Sequence, residues 1–283
     1  MITRRIFLKG AMAGLAGGGA ASHWLANAAT ATAKPKIRVG SCVVGLEQAK
    51  EAGLDGVEIG VGNTPEKLRI ADPMFRAQCK EQMAKTGLTI SSFMMGLLNS
   101  YPLAADSRAP EWLDQSIDAA KDLGAGVILV AFFGKGDLRQ DGQLKRTDVD
   151  VTVQRIKAAA PRAKEAGVIL AIENTLSARQ NAEILDRIGH ESVRIYYDVG
   201  NSTNNGYDVP EEIRFLKDRI ACIHFKDGRN YLGAGKIQFE PIAQAIKDIG
   251  YKGWIVMETS NPSGNATADA TRNADYIRGL FGI

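Results

Sequence analysis

From Lys36 onward the chain alternates short β-rich runs with helix-period segments, and it does so eight times. That repeat is the strongest constraint on its fold, because a strand followed each time by an amphipathic helix pairs in parallel with its neighbours. The strand candidates are Ile37–Ser41, Gly56–Gly60, Leu88–Met94 and Val127–Phe133, then Val168–Asn174, Val193–Gly200, Ile220–Asp227 and Trp254–Ser260. Between them, Ala178–Ile188 carries apolar residues at Ala182, Ile184, Leu185 and Ile188, and Phe239–Ile249 carries them at Ile242, Ala245, Ile246 and Ile249. Gly53, Gly87, Gly124, Gly167, Gly189 and Gly250 stand where helices should stop ahead of the next strand. Eight such units in about 255 residues predict an α/β fold of the (β/α)8 TIM-barrel type. An open doubly wound sheet is the rival, but no G-x-G-x-x-G follows the first strand. The longest predicted insertions are Phe133–Asp148 after the fourth strand and Gly200–Pro210 after the sixth.

The first 28 residues read differently. Thr3-Arg4-Arg5-Ile6-Phe7-Leu8-Lys9 is followed by a Gly/Ala-rich stretch from Ala11 to Ala21 and by Ala26-Asn27-Ala28. That is the layout of a secretory signal with an A-x-A cleavage site, and Arg-Arg-x-Phe-Leu-Lys resembles the twin-arginine motif. Residues 1–28 are therefore expected to be a twin-arginine signal peptide and residues 29–283 the barrel, exported in the folded state to a periplasmic or otherwise external location. The apolar stretch is too short and glycine-rich to persist as a membrane span, so stable membrane insertion after export is not expected. The formal net charge of +3 resides in Arg4, Arg5 and Lys9, since the leader holds no Asp or Glu. A formally neutral barrel argues against a nucleic-acid partner. Cys42, Cys79 and Cys222 have no metal-like spacing, and Cys222 reads as a small core residue.

Chemistry in a barrel gathers at the C-terminal ends of its strands. The last four strands run into Glu173, Asp198, His224 and Glu258 in turn. Alternation turns Ala171 and Glu173 inward on the fifth strand, Asp198 on the sixth, and Cys222, His224 and Lys226 on the seventh. Three carboxylates converging on one pocket repel unless protonated or neutralised by a cation. With one imidazole they suit one divalent ion, Mn²⁺ first, with Mg²⁺, Co²⁺ or Zn²⁺ as alternatives. Glu58, Asn201, Lys226 and Arg229 are expected at the substrate, with a buried ion pair to a barrel lysine as the other reading of Glu58. Phe132–Asp137 is a candidate pocket wall, and Trp112 and Trp254 are read as packing residues. Gly233-Ala234-Gly235-Lys236 has the composition of a weak phosphate loop.

The segments Gly53-Leu-Asp-Gly-Val-Glu58-Ile, Leu170-Ala-Ile-Glu173-Asn, Tyr197-Asp198-Val-Gly-Asn201, Ile223-His224-Phe-Lys226-Asp and Val256-Met-Glu258 carry a resemblance. Together they resemble the xylose isomerase-like TIM barrels, the sugar phosphate isomerase/epimerase group that also includes the family 2 AP endonucleases. The resemblance implies a single metal held by Glu173, Asp198, His224 and Glu258, with Glu173 and Glu258 doubling as the acid/base pair. It departs at Asn201, where many members carry a substrate-contacting histidine. The multi-histidine, multi-zinc site of the DNA-repair branch is out of reach, because His190 and His224 are the only histidines past the leader.

The function expected is a metal-dependent isomerase or epimerase that moves a proton through an enediolate of a keto- or aldo-sugar. A lyase or hydratase acting on keto-sugars or keto-glycosides shares the same first step. An exported sugar-binding barrel without turnover is the alternative of another class. The specific sugar and the oligomeric state are not encoded in any motif.

Overall fold

The computed structural model describes residues 36–283, and the expected signal peptide lies outside them. Eight parallel strands close into a barrel: β1 Arg38–Ser41, β2 Gly56–Gly60, β3 Thr89–Met94, β4 Val127–Ala131, β5 Ile169–Glu173, β6 Val193–Asp198, β7 Ile220–Phe225 and β8 Trp254–Met257. Each strand pairs with its sequence neighbours, and β8 returns to β1 through Arg38–Trp254 to Ser41–Met257. The surrounding helices are α1 Leu46–Glu51, α2 Pro73–Thr86, α3 Ala109–Leu123, α4 Arg146–Ala166, α5 Ala178–Ile188, α6 Val199–Asn204, α7 Val209–Leu216, α8 Phe239–Asp248 and α9 Ala266–Phe281. The six helix-stopping glycines all adopt positive φ, between 64° and 73°, a backbone state that a Cβ disfavours.

Strand alternation divides the core into two layers. Outward residues such as Val39, Ile128, Leu170, Ile172, Ile195, Ile223 and Ile255 pack under the helices. Inward residues Val127, Leu129, Ala131, Ala171, Tyr196, Cys222, Trp254 and Val256 fill the barrel itself. Trp254 plugs the N-terminal end, stacked beneath the Arg38 guanidinium, and Trp112 is buried with its indole N–H donated to the Pro65 carbonyl. No helix among the described residues is long and apolar enough to cross a membrane.

Both expected insertions carry structure of their own. Gly200–Pro210 holds most of the short helix α6, which Asp198 caps directly off β6, and the start of α7, which Asp208 caps, each through a backbone N–H. Phe133–Asp148 holds a hairpin of two short strands, Arg139–Gln140 and Gln143–Leu144, and α4 already begins at Arg146. Strands of two residues leave too little periodicity to be read from sequence.

Gly56 shows how tightly the lower barrel is packed. A Cβ there would collide with the Thr89 carbonyl oxygen and the Trp254 ring. Gly56→Ala is therefore expected to destabilise the fold by about 1–3 kcal/mol, the range for overpacking a full core. Urea unfolding with an unchanged midpoint would contradict this packing.

Candidate metal centre and active site

Glu173 is the last residue of β5, Asp198 the last of β6, and His224 the penultimate residue of β7. Glu258 follows β8 by one residue, held by its N–H to the Phe225 carbonyl at 3.0 Å. The four predicted ligands thus come from four consecutive strands, and one donor atom from each lies within 4.8 Å of the others. His224 Nδ1 faces all three carboxylates: Glu173 Oε1 at 3.2 Å, Glu258 Oε2 at 3.5 Å and Asp198 Oδ2 at 3.8 Å. Glu173, Asp198 and His224 are buried, whereas the Glu258 side chain is 36% exposed at the mouth.

Burial disfavours charge here, and the neighbours decide each group. Burial pushes Glu173 up to about 7, although His224 pulls against it. Asp198 is also raised by burial, against the attraction of Lys226 and His224. Glu258 is desolvated too, but His224 and Lys226 outweigh that and hold its carboxyl below the ordinary value.

This donor set fits a divalent cation. Three carboxylates and one imidazole point at a common centre. Lys226 meets Asp198 Oδ2 and Glu258 Oε2, but one ammonium offsets only one of three carboxylates, which leaves the centre suited to a cation. The second Asp198 oxygen is already committed, accepting the Asn201 N–H at 2.7 Å.

Lys226 lies beyond His224, with its ammonium 2.8 Å from both Asp198 Oδ2 and Glu258 Oε2. Its stem crosses the first turn of α6 over Gly200, where a Cβ would strike Lys226 Cγ. Gly200 is thus a site residue that sequence reading missed, since only the path of the Lys226 stem reveals the need for a small residue. Asn201 stands half-buried on the first turn of α6, and Arg229 is exposed on the loop after β7. Asn201 meets the four ligand-type residues only through its backbone N–H, donated to Asp198 Oδ1, and Arg229 forms no hydrogen bond or ion pair with them.

Glu58 differs most from expectation. It points into the barrel, but its side chain is fully buried beneath His224. Its partners are His224, Ser92 and Tyr196 rather than a lysine or the open mouth. That burial places the Glu58 carboxylate below the site rather than at its open mouth. Tyr196 and Ser92 were missed, although Tyr196 stands two residues before Asp198 and so shares its inward face.

The rest of the mouth is less polar. Cys42, Met94 and Phe133 are partly buried against the inner barrel cluster at its upper end, a wall from β1, β3 and β4 opposite the carboxylates. Burial pushes the Cys42 thiol up to about 12, so it is protonated and behaves as an apolar lining residue. The hairpin after β4 ties to the α6–α7 connection, where Arg139 donates to Asn205 Oδ1 at 2.5 Å and to Tyr207 Oη at 3.2 Å. Phe132, by contrast, belongs to the outer core layer.

The Gly233–Lys236 loop offers little to a phosphate. Its Gly235 N–H and the following Ile237 N–H are donated to Asp227, Leu232 N–H to Asn273, and Ala234 N–H to the Tyr231 carbonyl. Of the loop's own amides, Ala234 and Gly235 are bound internally, and the Asp227 carboxylate beside Gly235 would repel an anion.

Three comparisons place these features among known proteins. Residues 46–280 match the family model described as xylose isomerase-like TIM barrel. The L-ribulose-5-phosphate 3-epimerase UlaE of Salmonella heidelberg (strain SL476) is 25% identical over 253 residues, covering 82% of this chain and 87% of the relative. Among solved structures, the D-allulose 3-epimerase from Methylomonas sp. in complex with D-allulose superposes with a TM-score of 0.73 at 17% identity, covering 87% of this chain and 98% of that one. The 3-keto-D-glucoside 4-epimerase YcjR from E. coli gives 0.73 at 14% identity, covering 86% and 100%. The structural likenesses show the fold, and the homologues and neighbours named are carbohydrate epimerases. With the family model spanning nearly the whole described barrel, the chain belongs to the xylose isomerase-like TIM barrels.

Proposed function

We propose that the protein is a divalent-metal-dependent epimerase of unphosphorylated keto-sugars. One observation carries this reading: Glu173, Asp198, His224 and Glu258 converge within 4.8 Å at the barrel mouth, with two of the three carboxylates on glutamates from strand ends three positions apart. These four residues would hold the ion, and Mn²⁺ suits the oxygen-rich set. Bound there, the ion supplies Lewis-acid polarisation to a substrate carbonyl.

Glu173 and Glu258 then carry the proton chemistry. They approach from β5 and β8, with Asp198 and His224 between them on β6 and β7. One carboxylate takes the proton α to the carbonyl, and the C–H electron pair moves into the enediolate. The other carboxyl returns a proton to the same carbon from the opposite face, which inverts it; the reverse reaction exchanges the roles. Lys226, already 2.8 Å from Glu258 Oε2, keeps that carboxylate ionised and offers its remaining N–H donors to a substrate oxygen. The Cys42, Met94 and Phe133 wall excludes water from one side of the sugar.

The phosphate of the curated relatives is not carried over to this chain. In the loop after β7 the Leu232, Ala234, Gly235 and Ile237 amides are spent on Asn273, Tyr231 and Asp227, and the leader supports export, away from cytoplasmic sugar phosphates. A panel of ketopentoses and ketohexoses with their phosphate esters, incubated with Mn²⁺-loaded protein and followed by NMR, tests the reading. Epimers of the free ketoses are expected. Aldose formation would identify an isomerase and loss of a β-substituent a lyase, while turnover of the esters alone would refute the choice of substrate.

A further inference from the structure

The Glu58 carboxylate is the most heavily bonded group inside the barrel, and the reaction proposed above does not use it. Oε1 lies 3.2 Å from His224 Nε2, while Oε2 accepts the Ser92 hydroxyl at 2.7 Å and the Tyr196 hydroxyl at 2.8 Å. These partners come from β3, β6 and β7, so one side chain on β2 reaches three other strands. The Tyr196 ring also packs on the His224 ring, with centroids 4.4 Å apart.

Two departures from regular pairing bring these groups into line. Between β2 and β3 the register shifts after Val57, so that Glu58 faces Ser92 and Ser91 is skipped. Between β6 and β7 it shifts after Ile195, so that Tyr196 faces Cys222, Asp198 faces His224, and Ala221 is skipped. Such irregularities are rare between parallel strands, and they characteristically re-aim side chains beside functional sites. Both irregularities fall immediately before a member of the same contact, Glu58 and Tyr196.

With Oε2 taken by the Ser92 and Tyr196 hydroxyls, Oε1 is placed to accept from His224 Nε2–H. A ring that donates there from its neutral form keeps its lone pair on Nδ1. That is the nitrogen facing Glu173, Asp198 and Glu258.

We propose that Glu58 is a positioning residue, fixing the tautomer and ring orientation of His224 so that Nδ1 is presented to the metal, with Ser92 and Tyr196 holding the carboxylate in place. This deepens the metal-centre reading and rests on it. Carboxylate partners on the far nitrogen of a ligating histidine typically change metal affinity about 10–100-fold.

The test is Mn²⁺ titration of the full chain by EPR of the free ion, alongside ¹⁵N NMR of imidazole in the Zn²⁺-loaded protein. Wild type is expected to bind one Mn²⁺ and to show His224 protonated at Nε2. Glu58→Gln is expected to weaken Mn²⁺ about 10–100-fold while its far-UV circular dichroism stays unchanged. Should that variant fail to fold, Tyr196→Phe and Ser92→Ala each remove one donor and leave the carboxylate, with a smaller loss of affinity expected. Unchanged affinity in every folded variant, or a His224 proton on Nδ1, overturns the proposal. Two Mn²⁺ per chain, one of them lost in Cys42→Ser, overturns it differently, because Cys42, Glu58 and His224 would then be ligands of a second ion. If wild type binds no Mn²⁺ or Zn²⁺, the metal-centre reading itself fails. The imidazole spectra of the ion-free wild type and Glu58→Gln then judge Glu58 separately, a shift at Nε2 between them supporting the contact and identical spectra refuting it.

Discussion

Glu173→Gln and Glu258→Gln are each expected to lower epimerisation of a ketose by about 10³-fold or more. A positioned acid or base contributes about 10²–10⁴-fold, and an amide of the same shape cannot shuttle a proton. The two variants should also differ. Glu173 is buried against His224 Nδ1, whereas Glu258 is one-third exposed and paired with Lys226. Glu173→Gln thus alters the interior of the cluster, and Glu258→Gln mainly releases Lys226. Measuring Mn²⁺ content beside kcat separates lost proton transfer from lost metal. A variant with full metal and kcat within tenfold of wild type would remove that glutamate from the acid/base role.

The second large effect is thermal. Glu173, Asp198 and His224 are nearly inaccessible to water, so in the absence of a cation the folded state holds together carboxylates that repel. An ion bound to the folded protein alone stabilises it by RT ln(1 + [L]/Kd), about 4 kcal/mol at a thousandfold excess over Kd. For a chain of this size about 1 kcal/mol moves Tm by about 2–4 °C, which gives a rise of about 8–16 °C between EDTA and saturating Mn²⁺. His224→Gln should lose most of that rise, since it removes the one ligand that contacts all three carboxylates. Calorimetry with and without the ion reads both quantities. A Tm indifferent to Mn²⁺ would contradict a metal centre at these residues.

The barrel was legible in the sequence because its signals are local. Apolar runs of strand length and a glycine at each helix stop can be read without knowing what packs where, and the four ligand-type residues mark the ends of such runs. The surroundings of those residues were less legible because they depend on distant parts of the chain. Alternation indicates that Glu58 faces inward, but its three partners come from β3, β6 and β7, two of them aligned by register shifts that leave no mark in the sequence. The buried network around Glu58 escaped the sequence reading for that reason. Gly200 was silent because its neighbour, the Lys226 stem, is brought to it only by the adjacent strand. The glycine-rich loop after β7 misled in the opposite sense: its composition suits an anion, yet Asp227 supplies one from within.

Isotope exchange tests the central claim most directly. Mn²⁺-loaded protein in D₂O, supplied with a free ketose, is predicted to place one solvent deuterium on the carbon α to the carbonyl of the epimeric product. Chelation should stop this and added Mn²⁺ restore it. Epimer formed without solvent deuterium, or deuterium incorporation indifferent to the ion, would contradict proton transfer at a metal centre built from Glu173, Asp198, His224 and Glu258.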